Sequence, residues 1–445
     1  MKIFHTKTYI CANIYLRTEG KARPWYVTMV SKTEQSKVSR RRFLTYAGAG
    51  VVVIAAAGAG AYYLTRPPPT SEVKIGVPII SSGPSATYGL ELKQGYDLAL
   101  EQFNAGGGFK SLGGAKANFV YADVKGEVEA ARSETERLIL SEKVPVLMGG
   151  MDPSCCLIIG EVAEKYKVPY LSDSGMVEKL VTSGWRYTFK MVCNEDGYVL
   201  ELATLMDRLG LTKQKIALIH SNDEWGTSMS RFGTKIFGEH GHEIVLDEPY
   251  DYAISDFTPI ITKIKSVKPD ILIATSGFAD AVLLTNQLAE QGVHIPMFST
   301  GGGYTLDPYI EGTGKNSEHI FTASMWQWDA KFPGNPEFVA AFKSKYNVNP
   351  DQWQACSYAL SQILFDSIER AGTVDPEKIT NAIYDTNLGT IYGQVAFNKT
   401  GPKPAMNKYR DTGGAYPAVL LQIQNGKLTT VWPSELAATQ PIWPV

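Results

Sequence analysis

The sequence has few of the residues that build metal centres and catalytic sites. It holds five cysteines and six histidines among 445 residues, and their spacings include neither a CxxC pair nor a zinc-binding pattern. A phosphate-binding loop, a GxGxxG fingerprint, a GxSxG nucleophile elbow and an HExxH helix are also missing. We therefore expect a protein that is not an enzyme and that uses no metal ion and no cofactor.

A strong charge of one sign is also missing from the body of the chain. Of the 43 basic and 45 acidic residues, 11 and 2 precede Pro67, so the remainder carries 32 basic and 43 acidic residues. A mildly acidic surface repels phosphate backbones, which excludes nucleic acid as the main partner. It favours a protein that stays soluble.

The cysteines do not suggest a disulfide framework. Cys155 and Cys156 are adjacent, and a bond between neighbours strains the peptide that joins them. Cys11, Cys193 and Cys356 are scattered along the chain. We therefore expect buried thiols rather than disulfides.

One long uncharged run lies near the N-terminus. Residues 43–64 contain no charged side chain and are long enough to span a bilayer. Arg40, Arg41 and Arg42 precede the run, which favours a cytoplasmic N-terminus. Ser39–Leu44 resembles the twin-arginine export signal. We expect residues 39–66 to be either such a signal or a retained membrane anchor, in a protein that works outside the cytoplasm.

The export motif lies far from Met1. A start at Met29 would place the arginines about ten residues into the chain, where such signals usually lie. Residues 1–38 are therefore expected to be an N-terminal extension. Residues 67–71 begin with three prolines and are expected to form a stiff linker.

Short apolar runs alternate with amphipathic stretches after the linker. Val73–Ile79 is rich in β-branched residues and is typical of a buried parallel strand. In Tyr88–Asn104 the apolar side chains recur at spacings of four, four and three, which predicts a helix: Leu92, Tyr96, Leu100 and Phe103. The alternation restarts near residue 195. Two such blocks predict an α/β protein with two doubly wound parallel-sheet lobes.

The pattern changes after residue 318. Helices are predicted at Pro336–Tyr346, Gln352–Ala371 and Pro376–Tyr384. Two strand-like runs, Ala418–Gln424 and Leu428–Trp432, flank an Asn-Gly turn near the end of the chain. This composition favours a tail that crosses back between the lobes.

Small and polar residues follow most of the predicted strands. In a parallel sheet, the loops at the carboxyl ends of the strands hold the ligand. Six such loops are rich in hydroxyl, amide and aromatic groups: 81–89, 149–154, 172–175, 222–226, 277–280 and 300–304. Taken singly they are explained as helix caps and turns. Together they favour a site for a small polar or zwitterionic molecule.

The order of these motifs is similar to that in a known family. KIGVPIISSGPSATYG, FNAGGG, VPVLMGG, AEKYKVPYLSDSG, KIALIHSNDEWG and PDILIATSGFADA follow one another between residues 74 and 281. They resemble the extracytoplasmic solute-binding proteins of ABC transporters, within the branched-chain amino acid (Leu/Ile/Val-type) group. The resemblance extends over residues 72–432, nearly all of the body.

The resemblance implies the type I periplasmic-binding-protein fold, a clamp of two lobes joined by a three-segment hinge. Lobe 1 would comprise residues 72–191 and about 325–388, and lobe 2 residues 192–324 and about 389–432. A solute would bind between the lobes and be buried as the hinge closes. The protein would act as a monomer that delivers this solute to an ABC permease in the membrane. The ligand domain of a sensor is the alternative use of such a clamp.

The family's ligand positions correspond to loop residues in both lobes. In lobe 1 they are the first-loop aromatic and residues of two later loops: Tyr88, Met151, Asp152, Pro153, Ser154, Ser174, Gly175 and Met176. In lobe 2 they are Trp225, Phe278 and Gly302. The resemblance implies that the loops of lobe 1 hold a ligand carboxylate.

The sequence departs from the family pattern in two ways. Asp152 and Pro153 stand where the family often has serines, and the carboxylate of Asp152 would repel a ligand carboxylate unless it points away or caps Cys155 or Cys156. Gly302 stands where members of the family have an acid that pairs with the ligand's ammonium group. Either the ligand is inverted and Asp152 takes the ammonium, or the ligand is not an α-amino acid. We favour an amino acid, with amides, urea-like solutes and aromatic acids as the alternatives.

Overall fold

The computed structural model describes residues 71–443, apart from residues 84, 178, 193–194, 253 and 398–417. The predicted extension (1–38), the predicted signal or anchor (39–66) and linker residues 67–70 lie outside this part of the chain. Among the helices that are described, none is both long enough and apolar enough to cross a membrane.

The first block of strands and helices builds a five-stranded parallel sheet. In chain order its elements are β1 (Glu72–Ile79), α1 (Ala86–Ala105), β2 (Lys116–Asp123), α2 (Val128–Leu140), β3 (Leu147–Met148), α3 (Pro153–Tyr166), β4 (Tyr170–Ser172), α4 (Lys179–Thr182) and β5 (Thr188–Lys190). The strand order is β2-β1-β3-β4-β5. β1 pairs in parallel with β2 along its whole length.

Strand β1 is apolar on both faces. Val73, Ile75, Val77 and Ile79 are all buried, and the intervening residues from Gly76 onward are buried as well. This burial is expected of a parallel strand that helices cover on both sides. The strand predicted at Val73–Ile79 is confirmed.

The second block builds a seven-stranded sheet. Its elements are α5 (Glu195–Arg208), β6 (Lys215–Ser221), α6 (Glu224–Glu239), β7 (Glu243–Tyr250), α7 (Thr258–Val267), β8 (Ile271–Thr275), α8 (Phe278–Glu290), β9 (Met297–Thr300), α9 (Asp307–Thr313) and β10 (Phe321–Ser324). The tail adds α10 (Asn335–Tyr346), α11 (Gln352–Ala371), α12 (Pro376–Tyr384), β11 (Asn387–Thr390), β12 (Gly393–Ala396), β13 (Val419–Gln424) and β14 (Lys427–Trp432).

The order in this second sheet is β14-β13-β10-β9-β8-β6-β7. The strands from β6 to β10 pair in parallel, whereas β13 and β14 add an antiparallel edge. The predicted α/β class with two parallel-sheet lobes is confirmed, and the antiparallel edge comes from the two strand-like runs at the end of the chain.

The tail helices return to the first sheet. α11 packs along α1, and the rings of Phe103 and Phe365 stack with their centres 4.2 Å apart. β13 and β14 then join the second sheet. The chain therefore passes from one sheet to the other three times, after β5, after β10 and after β12. Residues 398–417 of the last passage lie outside the described part.

Periodicity misplaced some element boundaries. The loop predicted at 149–154 ends earlier than expected, because helix α3 already begins at Pro153: Asp152 caps it and proline fits the first turn. The third strand is short and covers only Leu147–Met148. β5 and α9 were not predicted, because a three-residue strand and a seven-residue helix are too short for a hydrophobic pattern to repeat.

Buried thiols were predicted, and three of the five cysteines test this. Cys155, Cys156 and Cys356 are buried, and none of the three forms a disulfide. The thiol of Cys356 donates to the carbonyl oxygen of Asp173 at 2.8 Å. The prediction is confirmed for these residues, while Cys11 and Cys193 lie outside the described part.

Candidate ligand-binding site between the lobes

Aromatic side chains of the first lobe face a glycine turn of the second. The rings of Tyr88, near the start of α1, and Trp353, near the start of α11, meet edge to face with centres 5.5 Å apart. A Cβ atom at Gly302, in the turn after β9, would lie 3.3 Å from Cζ2 of Trp353 and 3.4 Å from Cε1 of Tyr88. The structure thus brings Tyr88 and Gly302 together from opposite lobes.

Trp225 lies beside the same turn. Gly301 has a φ of +116°, and a Cβ there would be 2.5 Å from Cη2 of Trp225 and 2.7 Å from the carbonyl oxygen of Ser276. Only glycine fits this backbone and this space. Because Gly301 and Gly302 are consecutive, Trp225, Tyr88 and Trp353 surround one turn at the junction of the two lobes.

The third loop of the first lobe is tied to its own helix. Asp152 is the N-cap of α3, and its Oδ1 accepts a hydrogen bond from the backbone N–H of Cys155 at 3.0 Å. Pro153 occupies the first turn of the helix, Ser154 is exposed, and Met151 is half-buried against the core. Of the alternatives for Asp152, its capping of Cys155 is the one that the hydrogen bonds support.

Replacing Asp152 with alanine is expected to lower the free energy of unfolding by about 1 kcal/mol, because the N–H of Cys155 loses its acceptor. Asparagine keeps an acceptor at the same position and should retain most of the stability. Urea denaturation of the two variants and the wild type measures the difference. An alanine variant as stable as the asparagine variant would show that the cap does not stabilise α3.

The next loop is buried and internally bonded. Ser174 Oγ donates to the carbonyl oxygen of Gly150 at 2.9 Å and contacts Oδ1 of Asp173 at 2.8 Å. The N–H of Gly175 donates to Ser172 Oγ at 3.2 Å, and Met176 is buried. These bonds join the two predicted ligand loops of the first lobe into one surface.

Phe278 stands at the start of α8 in the second lobe. Its side chain is 38% exposed. A Cβ at Gly303 would lie 2.7 Å from the backbone nitrogen of Phe278, so Phe278 adjoins the glycine turn through its backbone.

Two polar side chains at this junction were not predicted from the sequence. The indole Nε1 of Trp353 and the carboxylate Oε2 of Glu91 are both buried without a hydrogen-bond partner among the described residues. Neither residue follows a strand, so a search of strand-end loops does not find them. The sequence does mark the start of the helix that carries Trp353. The carboxylate of Asp351 caps α11 by accepting a hydrogen bond from the backbone N–H of Trp353 at 2.7 Å.

The acids at this junction are hard to ionise. Burial, with the negative charge of Asp351 adding to it, raises the pKa of Glu91 to about 8. Burial and the charge of Asp307 raise the pKa of Asp351. Burial and these acids also raise the pKa of Tyr88.

In the part of the chain that the structure describes, no group of three or more His, Cys, Asp or Glu side chains could hold a metal ion.

A family model described as "Periplasmic binding protein" matches residues 72–410. The chain belongs to this family. Its relatives include a Leu/Ile/Val-binding protein homolog 7 of Brucella abortus, which is 26% identical over 401 residues and aligns with 87% of this chain and 96% of the relative. Membership of the family indicates an extracytoplasmic location.

Solved structures share the fold. The branched-chain amino acid substrate-binding protein LivJ of Streptococcus pneumoniae, in complex with isoleucine, superposes with a TM-score of 0.68 at 22% identity, covering 81% of this chain and 100% of that one. A solute-binding protein of R. palustris in complex with benzoate gives 0.70 at 20% identity, covering 83% and 98%. The predicted type I periplasmic-binding-protein fold is confirmed.

Proposed function

We propose that this protein captures an amino acid, or a related small polar solute, between its two lobes and delivers it to an ABC-type importer. The observation that supports this is the meeting of Tyr88, Trp225 and Trp353 around the Gly301–Gly302 turn, where the two sheets approach each other. Aromatic walls with a few polar groups are typical of small-molecule sites. The names of the Brucella relatives favour branched-chain amino acids.

The finer assignments belong to the same proposal. Residues 72–191 and about 325–388 form lobe 1, and residues 192–324 and about 389–432 form lobe 2. The ligand-contacting residues are Tyr88, Met151, Asp152, Pro153, Ser154, Ser174, Gly175, Met176, Trp225, Phe278 and Gly302. The protein works as a monomer, is exported through the twin-arginine motif at Ser39–Leu44 and performs no catalysis.

An aromatic acid is the second candidate ligand. Gly302 offers no carboxylate for an ammonium group, and the site is rich in aromatic rings. A benzoate complex and a 4-hydroxybenzoate complex of similar fold exist among the solved structures. Stacking and hydrogen bonding to a carboxylate would suffice for such a solute.

A thermal-unfolding screen of the full chain tests the proposed function. A ligand present at 100 times its Kd stabilises the folded clamp by about 2.7 kcal/mol, which raises the melting temperature. We expect such a rise with L-leucine or another amino acid, and a rise with benzoate alone would favour the second candidate. A melting temperature unchanged by amino acids, amides, urea and aromatic acids would contradict the proposal.

A further inference from the structure

A half-buried glutamate with one buried carboxylate oxygen lies one turn of helix from the first-lobe aromatic. Glu91 follows Tyr88 by three residues on α1, so both side chains point to the same face of the helix. Oε2 of Glu91 is buried without a hydrogen-bond partner among the described residues. A buried carboxylate oxygen in this state is unfavourable unless another group comes to bind it.

Trp353 supplies an independent observation at the same place. Its side chain is only 8% exposed, yet its Nε1 has no partner among the described residues. The edge of the indole that carries Cζ2, on the same side as Nε1, faces Gly302 at 3.3 Å from where a Cβ would lie. An unpaired N–H donor therefore lies at the junction of the lobes, on the ring that meets Tyr88 edge to face.

The charged groups around Glu91 are of one sign. The titratable groups that face it are Tyr88 on its own helix and Asp351 at the start of α11. Beyond Asp351 the charge of Asp307, at the start of α9 in the second lobe, acts on Asp351. When these acids ionise, negative charge from both lobes meets here, and a cation between them would relieve the repulsion.

The turn itself supplies no acid, because residue 302 is glycine. A Cβ at residue 302 would already be in close contact with Trp353 and Tyr88, at 3.3 Å and 3.4 Å. An acidic group that binds the ligand must therefore come from another element. Glu91 has a buried, unpaired carboxylate oxygen one helical turn from Tyr88, whereas the carboxylate of Asp152 is already bonded to the N–H of Cys155.

We propose that Glu91 selects solutes that carry an ammonium group, in place of the acid that is absent at Gly302, and that the indole N–H of Trp353 donates a hydrogen bond to an oxygen of the same solute. This inference rests on the proposed function and narrows it to amines with a nearby acceptor, the amino acids first among them. Solutes with a carboxylate alone would leave Glu91 unpaired and bind more weakly.

The protonation of Glu91 gives the inference a pH signature. With its pKa raised to about 8, the carboxyl is mostly protonated at pH 6 in the unliganded protein. An ammonium group favours the ionised form, so binding at pH 6 to 7 releases a proton. Affinity for an amino acid therefore rises between pH 6 and pH 8, by at least fivefold, and levels off above the pKa of Glu91.

Calorimetry of the full chain tests this with two matched pairs of probes. L-leucine is compared with 4-methylpentanoate, and L-phenylalanine with 3-phenylpropanoate, at pH 6 and pH 8 in buffers of different ionisation enthalpy. We expect one amino acid to bind at least tenfold more tightly than its deaminated partner, with a heat that depends on the buffer. The Glu91→Gln variant should lose about fivefold in affinity, and the proton release should disappear.

The control is Glu101→Gln, an exposed acid on the same helix that pairs with Lys345; it should keep both the affinity and the proton release. Equal binding of an amino acid and its deaminated partner would overturn the inference and leave the solute-binding function standing. Binding by the wild-type protein without proton release would also overturn the inference, and this measurement does not depend on whether a variant folds. Binding of none of the four probes would contradict the proposed function and the inference with it.

Discussion

Replacing Trp225 with alanine is expected to weaken binding of the solute at least tenfold, about 1.4 kcal/mol. The indole contributes a half-buried aromatic surface beside the Gly301–Gly302 turn, and buried aromatic side chains dominate the energy of small-molecule sites. Folding should change little, because the ring is not part of the fully buried core. Calorimetry with the tightest-binding solute of the thermal screen measures the change in Kd.

Trp185→Ala is the matched control for Trp225→Ala. Trp185 is also half-buried, but it packs on Gly160 in the middle of α3, away from the glycine turn. We expect this variant to lose some stability and to keep the wild-type Kd. If Trp225→Ala binds as tightly as Trp185→Ala, the second-lobe aromatic does not contact the solute.

Replacing Gly95 with alanine is expected to lower the free energy of unfolding by about 2–3 kcal/mol. Gly95 lies where α1 packs on α11, and an added Cβ would overlap the carbonyl oxygen of Gln354 and Oγ of Ser357. The first of these is backbone, so the two helices must move apart to admit the methyl group. Guanidinium denaturation measures the loss.

Gly238→Ala is the control for this substitution. Gly238 is also helical, in the last turn of α6, and a Cβ there would meet nothing within 4 Å. Alanine should leave the protein unchanged or stabilise it by up to about 1 kcal/mol. Equal stability of the two variants would show that the contact between α1 and α11 is looser than the structure indicates.

The fold was predictable because its elements are long enough to repeat their patterns. β1 is a run of buried β-branched residues, and the helices predicted at Gln352–Ala371 and Pro376–Tyr384 are observed with these same bounds. β5 could not be found, because three residues contain no repeat. Pro153 was read as part of a loop, although a proline directly after an aspartate is typical of a helix start.

The site was predictable only in part. Tyr88, Trp225 and Gly302 follow strands, and the rule that ligands bind at the carboxyl ends of parallel strands brings such residues together. Glu91 lies inside a helix and Trp353 starts a tail helix whose packing on α1 is a long-range contact. No local pattern indicates which helices meet, so neither residue could be placed at the junction from the sequence.

The most direct test of the interlobe site is a crystal structure of the full chain with the solute that raises the melting temperature most. We expect one solute molecule between Tyr88 and Trp225, with an oxygen within hydrogen-bond distance of Trp353 Nε1 and its cationic group at Glu91. A solute bound elsewhere, such as in the surface cavity lined by His294, Lys315 and His319 in the second lobe, would contradict it.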